Sequence, residues 1–187
     1  LEVETLPRTA AWALELPEGK VRNETLMEVT GEFVKREPEE AAYWAATLEG
    51  EEGARVKKIV AAKWAQEDPI ACLEWAQKLP DGPGKSASIG EVVLEWTGQD
   101  PDAVYEFLNG MSYTNERDAA VEAFSMRISG DDPHSAIAWA EEIQESEARR
   151  SAIIRAGRAL MRQSAEEGRQ WLQNSGLTDE VQREIEK

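Results

Sequence analysis

The sequence is poor in the side chains that most metal and redox sites use. It has one cysteine, Cys72, and one histidine, His134, among 187 residues. A single cysteine excludes a disulfide within the chain and a zinc centre built from cysteines. His134 follows Asp131 and Asp132, but no third ligand lies at a useful spacing, so we expect no metal and no cofactor. Cys72 is predicted to be a small core residue, because no neighbouring base is visible that would activate its thiol.

Long apolar runs and positive charge are also scarce. No run approaches the roughly 20 apolar residues that a membrane helix requires, so we expect no membrane insertion by this chain. Aspartate and glutamate outnumber lysine and arginine 37 to 21, which gives a net charge of −16. Such a surface repels phosphate backbones, which argues against nucleic-acid binding. It favours a basic partner, although solubility alone also explains the charge.

Motifs for catalysis are missing as well. Residues 81–86, DGPGKS, are glycine-rich but lack the spacing of a phosphate loop and a strand before it. The serines have no histidine partner in a recognisable arrangement. Adjacent glutamates such as Glu141 and Glu142 are expected on the exposed helix faces of so acidic a chain. We therefore predict that the chain is not an enzyme in its own right.

What the sequence does contain is a large side chain repeated at intervals of 31 or 32 residues. Two series interleave: the first is Trp12, Trp44, Trp75, Phe107, Trp139 and Trp171, and the second is Phe33, Trp64, Trp96, Ile128 and Leu160. This periodicity indicates one supersecondary unit copied about six times. We predict a single helical-repeat domain over residues 1–187, with the repeated aromatics as core spacers. Its units are about 5–36, 37–67, 68–99, 100–131, 132–163 and 164–187.

Each middle unit begins with a helix start signal. An aspartate that can cap a helix precedes a proline that suits its first position, at Asp68, Asp100 and Asp132. Apolar or small residues lie three before, one after and four after Trp75, which is a helical stripe. Glycine- and proline-rich breakers then separate this helix from a second apolar stripe. Each unit is thus predicted to be a pair of helices, and residues 177–186 a short helix that closes the stack.

These segments resemble the tetratricopeptide-like class of αα-hairpin repeats. In DPIACLEWAQKL, residues 68–79, the tryptophan lies six residues after proline, where that class often carries an aromatic. The class has a period of about 34 residues rather than 32. The pattern is more similar to an uncharacterised bacterial repeat, DPxxAxxWAxxLP, of large envelope-associated or secreted proteins. The resemblance implies a right-handed α-α superhelix whose first helices line a concave groove, an envelope or secreted location, and no catalytic residue.

The function predicted on these grounds is a non-enzymatic scaffold that binds a protein segment or peptide, with a basic partner favoured. The alternative is a helical arm of a larger enzyme whose catalytic domain lies outside this chain. Because the chain begins at Leu1 and not at methionine, we expect a processed or partial chain.

A candidate binding strip lies two residues before the repeated aromatic. This position is apolar in the middle units, at Leu73, Tyr105 and Ile137. It either lines the groove or packs against the preceding hairpin, since packing and groove faces meet in such folds. Asn109 and His134 border it. We call these five residues the concave strip.

Arginines recur near the turn of four units, at Arg22, Arg55, Arg117 and Arg149. Each is expected to reach a carboxylate or the carbonyl groups that end the first helix. The alternative is a ladder of arginines that binds a ligand.

Overall fold

The computed structural model describes residues 6–187, and every regular element in that range is an α-helix. The twelve helices of this range are α1 (Leu6–Glu15), α2 (Lys20–Arg36), α3 (Pro38–Thr47), α4 (Gly50–Trp64), α5 (Pro69–Lys78), α6 (Pro83–Gln99), α7 (Pro101–Gly110), α8 (Asn115–Ile128), α9 (Pro133–Glu141), α10 (Ser146–Gln163), α11 (Ala165–Asn174) and α12 (Asp179–Ile185). No strand occurs between residues 6 and 187, so the all-α prediction is confirmed.

Two helices fall within the bounds of each predicted unit. The first helix has nine or ten residues, and the second has 14 to 18 residues except in the last unit. In the last repeat the second helix, α12, has 7 residues and lies within the range 177–186 predicted for the closing helix. The first predicted repeat starts at residue 5, which lies outside the described residues.

The three Asp-Pro pairs begin helices as predicted. One carboxylate oxygen of Asp68, Asp100 and Asp132 accepts a hydrogen bond of 3.0 Å from the backbone N–H three residues later. Proline follows in the first turn of α5, α7 and α9, where no N–H is needed. Hydrogen bonds from the Ser135 side chain and backbone hold the pKa of Asp132 below its ordinary value. Each cap contributes about 1 kcal/mol to helix stability.

The chain also divides into two compact units, each larger than one of the predicted repeats: the first is residues 1–96 and the second is residues 97–187. In the first unit, α2 packs against α1, α3 and α4. Repeated aromatics meet in pairs there: the ring centroids of Phe33 and Trp44 lie 6.1 Å apart, as do those of Trp64 and Trp75. Phe33 and Trp64 are buried, so these pairs lie at the core of the first unit.

In the second unit, α10 packs against α8, α9, α11 and α12. The ring of Trp139 meets Phe124 and Tyr105 edge-on, with centroids 5.4 and 5.6 Å away. Buried Ile154, Leu172, Val181 and Ile185 form a cluster that fixes α12 against α10 and α11. The short closing helix is thus held by apolar contacts rather than by its own length.

The repeated large side chains are not equally buried. Phe33, Trp64, Trp139 and Leu160 are buried, whereas Trp44, Trp75, Trp96, Phe107, Ile128 and Trp171 are partly buried. Trp12 is 52% exposed and departs from the predicted core role. The main packing partner of α1 is α2, so part of the Trp12 ring faces solvent.

Gly53 marks a close approach that tolerates no side chain. A Cβ atom at this position would lie 2.5 Å from the carbonyl oxygen of Leu48 and 2.6 Å from its carbonyl carbon. Since backbone atoms cannot rotate away, Gly53→Ala is expected to lower the free energy of unfolding by about 1–3 kcal/mol. Urea unfolding measures this loss. Gly110→Ala is the control, because a Cβ there meets nothing within 4 Å. An equal loss in both variants would contradict the close approach.

Candidate functional site: an acidic groove in the first unit

A groove of about 1070 Å³ opens in the first unit between one face of α2, the start of α3, the end of α4 and the start of α5. The turn after α4 shapes one wall. There the N–H groups of Glu67 and Asp68 both donate to the carbonyl oxygen of Trp64, at 3.0 and 2.9 Å. Asp68 then caps α5, so the wall is fixed by hydrogen bonds. We call this cavity the acidic groove.

The lining of the acidic groove includes large apolar side chains from α2 and α4. Met27 of α2 is 52% exposed, and the largely buried Val34 and Trp64 also line the groove. The Lys63 stem passes close to α2 at Gly31, where an added Cβ would lie 3.7 Å from Lys63 Cε. An apolar or long aliphatic side chain could therefore bury part of its surface here.

The rim of the acidic groove is negatively charged. Six carboxylates line it, at Glu24, Glu28, Glu32, Glu39, Glu67 and Asp68, against two ammonium groups at Lys35 and Lys63. The residues that line the groove therefore carry a net charge of −4. Low-dielectric walls that carry one sign of charge concentrate the field in a cleft, which attracts counter-charged ligands.

Some of these carboxylates already have partners. Glu24 lies 3.6 Å from Lys20, and Glu32 accepts a 2.5 Å hydrogen bond from Arg36, which lowers the pKa of Glu32. Glu28, Glu39 and Glu67 form no ion pair with any residue in the described range. Three negative charges are thus available to a cationic ligand.

The concave strip divides between core and surface. Leu73 and Ile137 are 7% and 4% exposed, and Ile137 packs with Ala136, Ala156 and Leu160. The sequence left open whether this repeat position lines a groove or packs against a neighbouring helix. Leu73 and Ile137 pack.

Tyr105, Asn109 and His134 are exposed. Tyr105 and Asn109 lie one turn apart on α7, and the Tyr105 ring meets Trp139. Nε2 of His134 on α9 lies 3.5 Å from Oε2 of Glu167. Leu73 belongs to the compact unit of residues 1–96, and the other four residues belong to the compact unit of residues 97–187.

The turn arginines bind protein acceptors, as expected from the sequence. Arg22 lies 3.5 Å from Glu52, and Arg117 donates to Glu142. Nη1 of Arg149 donates to the carbonyl oxygen of Ile143, just past α9, at 2.9 Å.

Arg55 differs in its closest partner. It donates to Oδ1 of Asn23 at 2.6 Å and lies 3.9 Å from Glu52. These contacts favour a structural role for the four arginines over a ligand-binding ladder.

Sequence reasoning missed Asp118, a buried carboxylate of α8. It accepts hydrogen bonds from the N–H groups of Gln144 and Glu145, at 2.8 to 3.1 Å. Glu145 in turn caps α10. Asp118 therefore holds the turn between α9 and α10, a contact across 26 residues that no local pattern signals.

Sequence reasoning also missed the acidic groove. Its only local signal is the row Glu24, Glu28 and Glu32, spaced four residues apart on one face of α2. The opposite wall comes from α4 and α5, so the groove exists only once the helices have packed.

Cys72 is a core residue, as predicted. Its Sγ donates to the carbonyl oxygen of Ala61 at 3.6 Å, and burial raises the pKa of the thiol to about 12. The thiol is therefore protonated at neutral pH and is a poor nucleophile.

Within residues 6–187, no three His, Cys, Asp or Glu side chains are grouped so that they could hold a metal ion. None of the helices in the same range is both long enough and apolar enough to cross a membrane.

No protein-family model matches the chain, and neither the curated proteins nor the solved structures contain a match to it. The shape and charge of the acidic groove are therefore the main guide to function.

Proposed function

We propose that the chain is a non-enzymatic scaffold that binds a basic segment of another protein in the acidic groove. The observation that carries this proposal is the combination of a cavity of about 1070 Å³, apolar side chains in its lining and six lining carboxylates, of which Glu28, Glu39 and Glu67 have no ion-pair partner in the described range. The volume is at the upper end of the range for small-molecule sites, which suits a stretch of polypeptide.

The two parts of the acidic groove have different roles in this proposal. Glu28, Glu39 and Glu67 accept hydrogen bonds from lysine or arginine, and such charge-assisted bonds are about twice as strong as neutral ones. Met27 and Trp64 contact an apolar side chain or an aliphatic stem of the ligand. Apolar anchors in a groove usually provide much of the affinity, whereas rim charges govern the association rate and its dependence on salt.

The wider architecture belongs to the same proposal. Two helices in each of six units, with a period near 32 residues, support a right-handed superhelix of the tetratricopeptide-like class. In such arrays each hairpin buries its apolar face against its neighbours and leaves one side for ligands.

Fluorescence anisotropy with labelled peptides tests the proposed ligand chemistry. Three peptides of equal length are compared: one combines lysine and arginine with leucine, one replaces the basic residues by glutamate, and one replaces leucine by glycine. We expect the first to bind most tightly, and its affinity to fall between about 50 and about 300 mM salt because ions screen the rim. Equal binding of all three peptides, or tightest binding of the acidic one, would contradict the proposal.

A further inference from the structure

The second unit contains a basic cleft, which is unexpected in a chain of net charge −16. Four arginines of α10 line a cavity of about 420 Å³: Arg150, Arg155, Arg158 and Arg162. Glu184 of α12 is the only acidic residue in its lining, so the lining residues carry a net charge of +3. Glu180 and Glu122 lie just outside the lining, where they pair with Arg150 and Arg155. We call this cavity the arginine cleft.

Helix periodicity places three of the four arginines of the cleft on one face of α10. Arg155, Arg158 and Arg162 are separated by three and four residues, so they lie on successive turns. At about 1.5 Å per residue, the three span about 10 Å along the helix. A compact anion in the cleft can therefore be approached by more than one guanidinium.

Two of the four arginines are held in place by α12. Arg150 donates to Glu180 and Glu184 at 3.2 and 2.7 Å. Nε and Nη2 of Arg158 donate to the carbonyl oxygen of Glu184 at 2.9 and 2.7 Å. These bonds orient both side chains before any ligand arrives, which reduces the entropy lost on binding.

The other two arginines have donors to spare. Nη2 of Arg155 lies 3.5 Å from Glu122, whereas its Nη1 is buried without a hydrogen-bond partner in the described range. The side chain of Arg162 forms no ion pair or hydrogen bond with a described residue. A guanidinium carries five N–H donors, so the cleft has more donors than the protein supplies acceptors.

We propose that the arginine cleft binds a phosphate group through Arg155, Arg158 and Arg162. A phosphate monoester carries close to two negative charges and three strong acceptor oxygens, which suits donors arriving from successive turns. Arginine forks recognise such oxygens in pairs. A carboxylate has only two oxygens and one charge. The volume of about 420 Å³ holds a small phosphate compound or one phosphorylated side chain rather than a nucleic-acid backbone.

Titration of the whole chain, followed by amide chemical shifts in nuclear magnetic resonance, tests this site. The probes are inorganic phosphate, phosphoserine and acetate at matched ionic strength. We expect both phosphates to shift the amides of Arg155, Arg158 and Arg162, and acetate to leave them nearly unchanged. Tighter binding of phosphoserine than of inorganic phosphate would indicate a phosphate carried on a larger ligand, and equal binding would indicate free phosphate. Both results support the proposal.

The decisive variant is Arg155→Gln with Arg162→Gln, which leaves Arg158 and its bonds to α12 intact. Because each hydrogen bond to a charged group is substantial, affinity for inorganic phosphate should fall by about tenfold or more. Arg169→Gln is a control for the loss of one positive charge outside the cleft, since Arg169 is exposed on α11, and the affinity of this variant for inorganic phosphate should not change. Unchanged affinity in the folded double variant, or acetate shifts equal to those of phosphate, would overturn the proposal.

Discussion

Replacing Trp139 by alanine is expected to lower the free energy of unfolding by about 3–5 kcal/mol. Trp139 is 7% exposed, and its ring contacts Phe124 and Tyr105 edge-on. Removal of the indole leaves a cavity between α7, α8 and α9, and it also removes the aromatic contacts. Urea unfolding, followed by circular dichroism of the helices, measures the loss.

Trp12→Ala provides the matched control, because it removes the same side chain at the equivalent position of the first repeat, residues 5–36. Trp12 is 52% exposed, so its removal should cost no more than about 1.5 kcal/mol. Equal losses in the two variants would mean that the two rings are equally buried in solution, and the packing of α1 or α9 would have to be revised.

Charge reversal in the acidic groove is expected to have the largest effect on peptide binding. Glu28→Lys with Glu67→Lys replaces two attractions by two repulsions, so affinity for the basic peptide should fall by about a hundredfold. Neither glutamate forms an ion pair with a described residue, so the variant should fold normally. Fluorescence anisotropy measures the affinity, and circular dichroism confirms the helix content.

A second double variant separates the groove from the overall charge. Glu106→Lys with Glu166→Lys changes the net charge by the same amount at exposed positions of α7 and α11. Its affinity for the basic peptide should fall by less than about threefold, because salt screens distant charges. An equal fall in both double variants would show that total charge, and not the acidic groove, attracts the peptide.

The elements that the sequence predicted well depend on local signals. Asp68, Asp100 and Asp132 cap helices because an aspartate before proline has few other good conformations at a helix start. The apolar stripe of α5 likewise placed Cys72 in the core. Such features need only neighbours within one or two turns, and those neighbours are visible in the sequence.

The features that the sequence did not reveal depend on distant packing. Leu73, Tyr105 and Ile137 occupy the same repeat position, yet Tyr105 is 52% exposed and the other two are buried. The side chains that cover each position come from other helices, and these differ from unit to unit. The arginines of α10 were missed for another reason: they form a row on a single helix, and the repeat pattern shows only positions that several repeats share.

The most direct test of the proposed function is a map of the peptide site. The chain is titrated with the basic, leucine-containing peptide, and the backbone amide shifts are followed by nuclear magnetic resonance. Binding in the acidic groove predicts that the largest changes occur at Met27, Gly31, Trp64 and Ala71, which line the groove on three helices. Largest changes at Tyr105, Asn109 and His134 instead would place the partner on the exposed part of the concave strip and contradict the account.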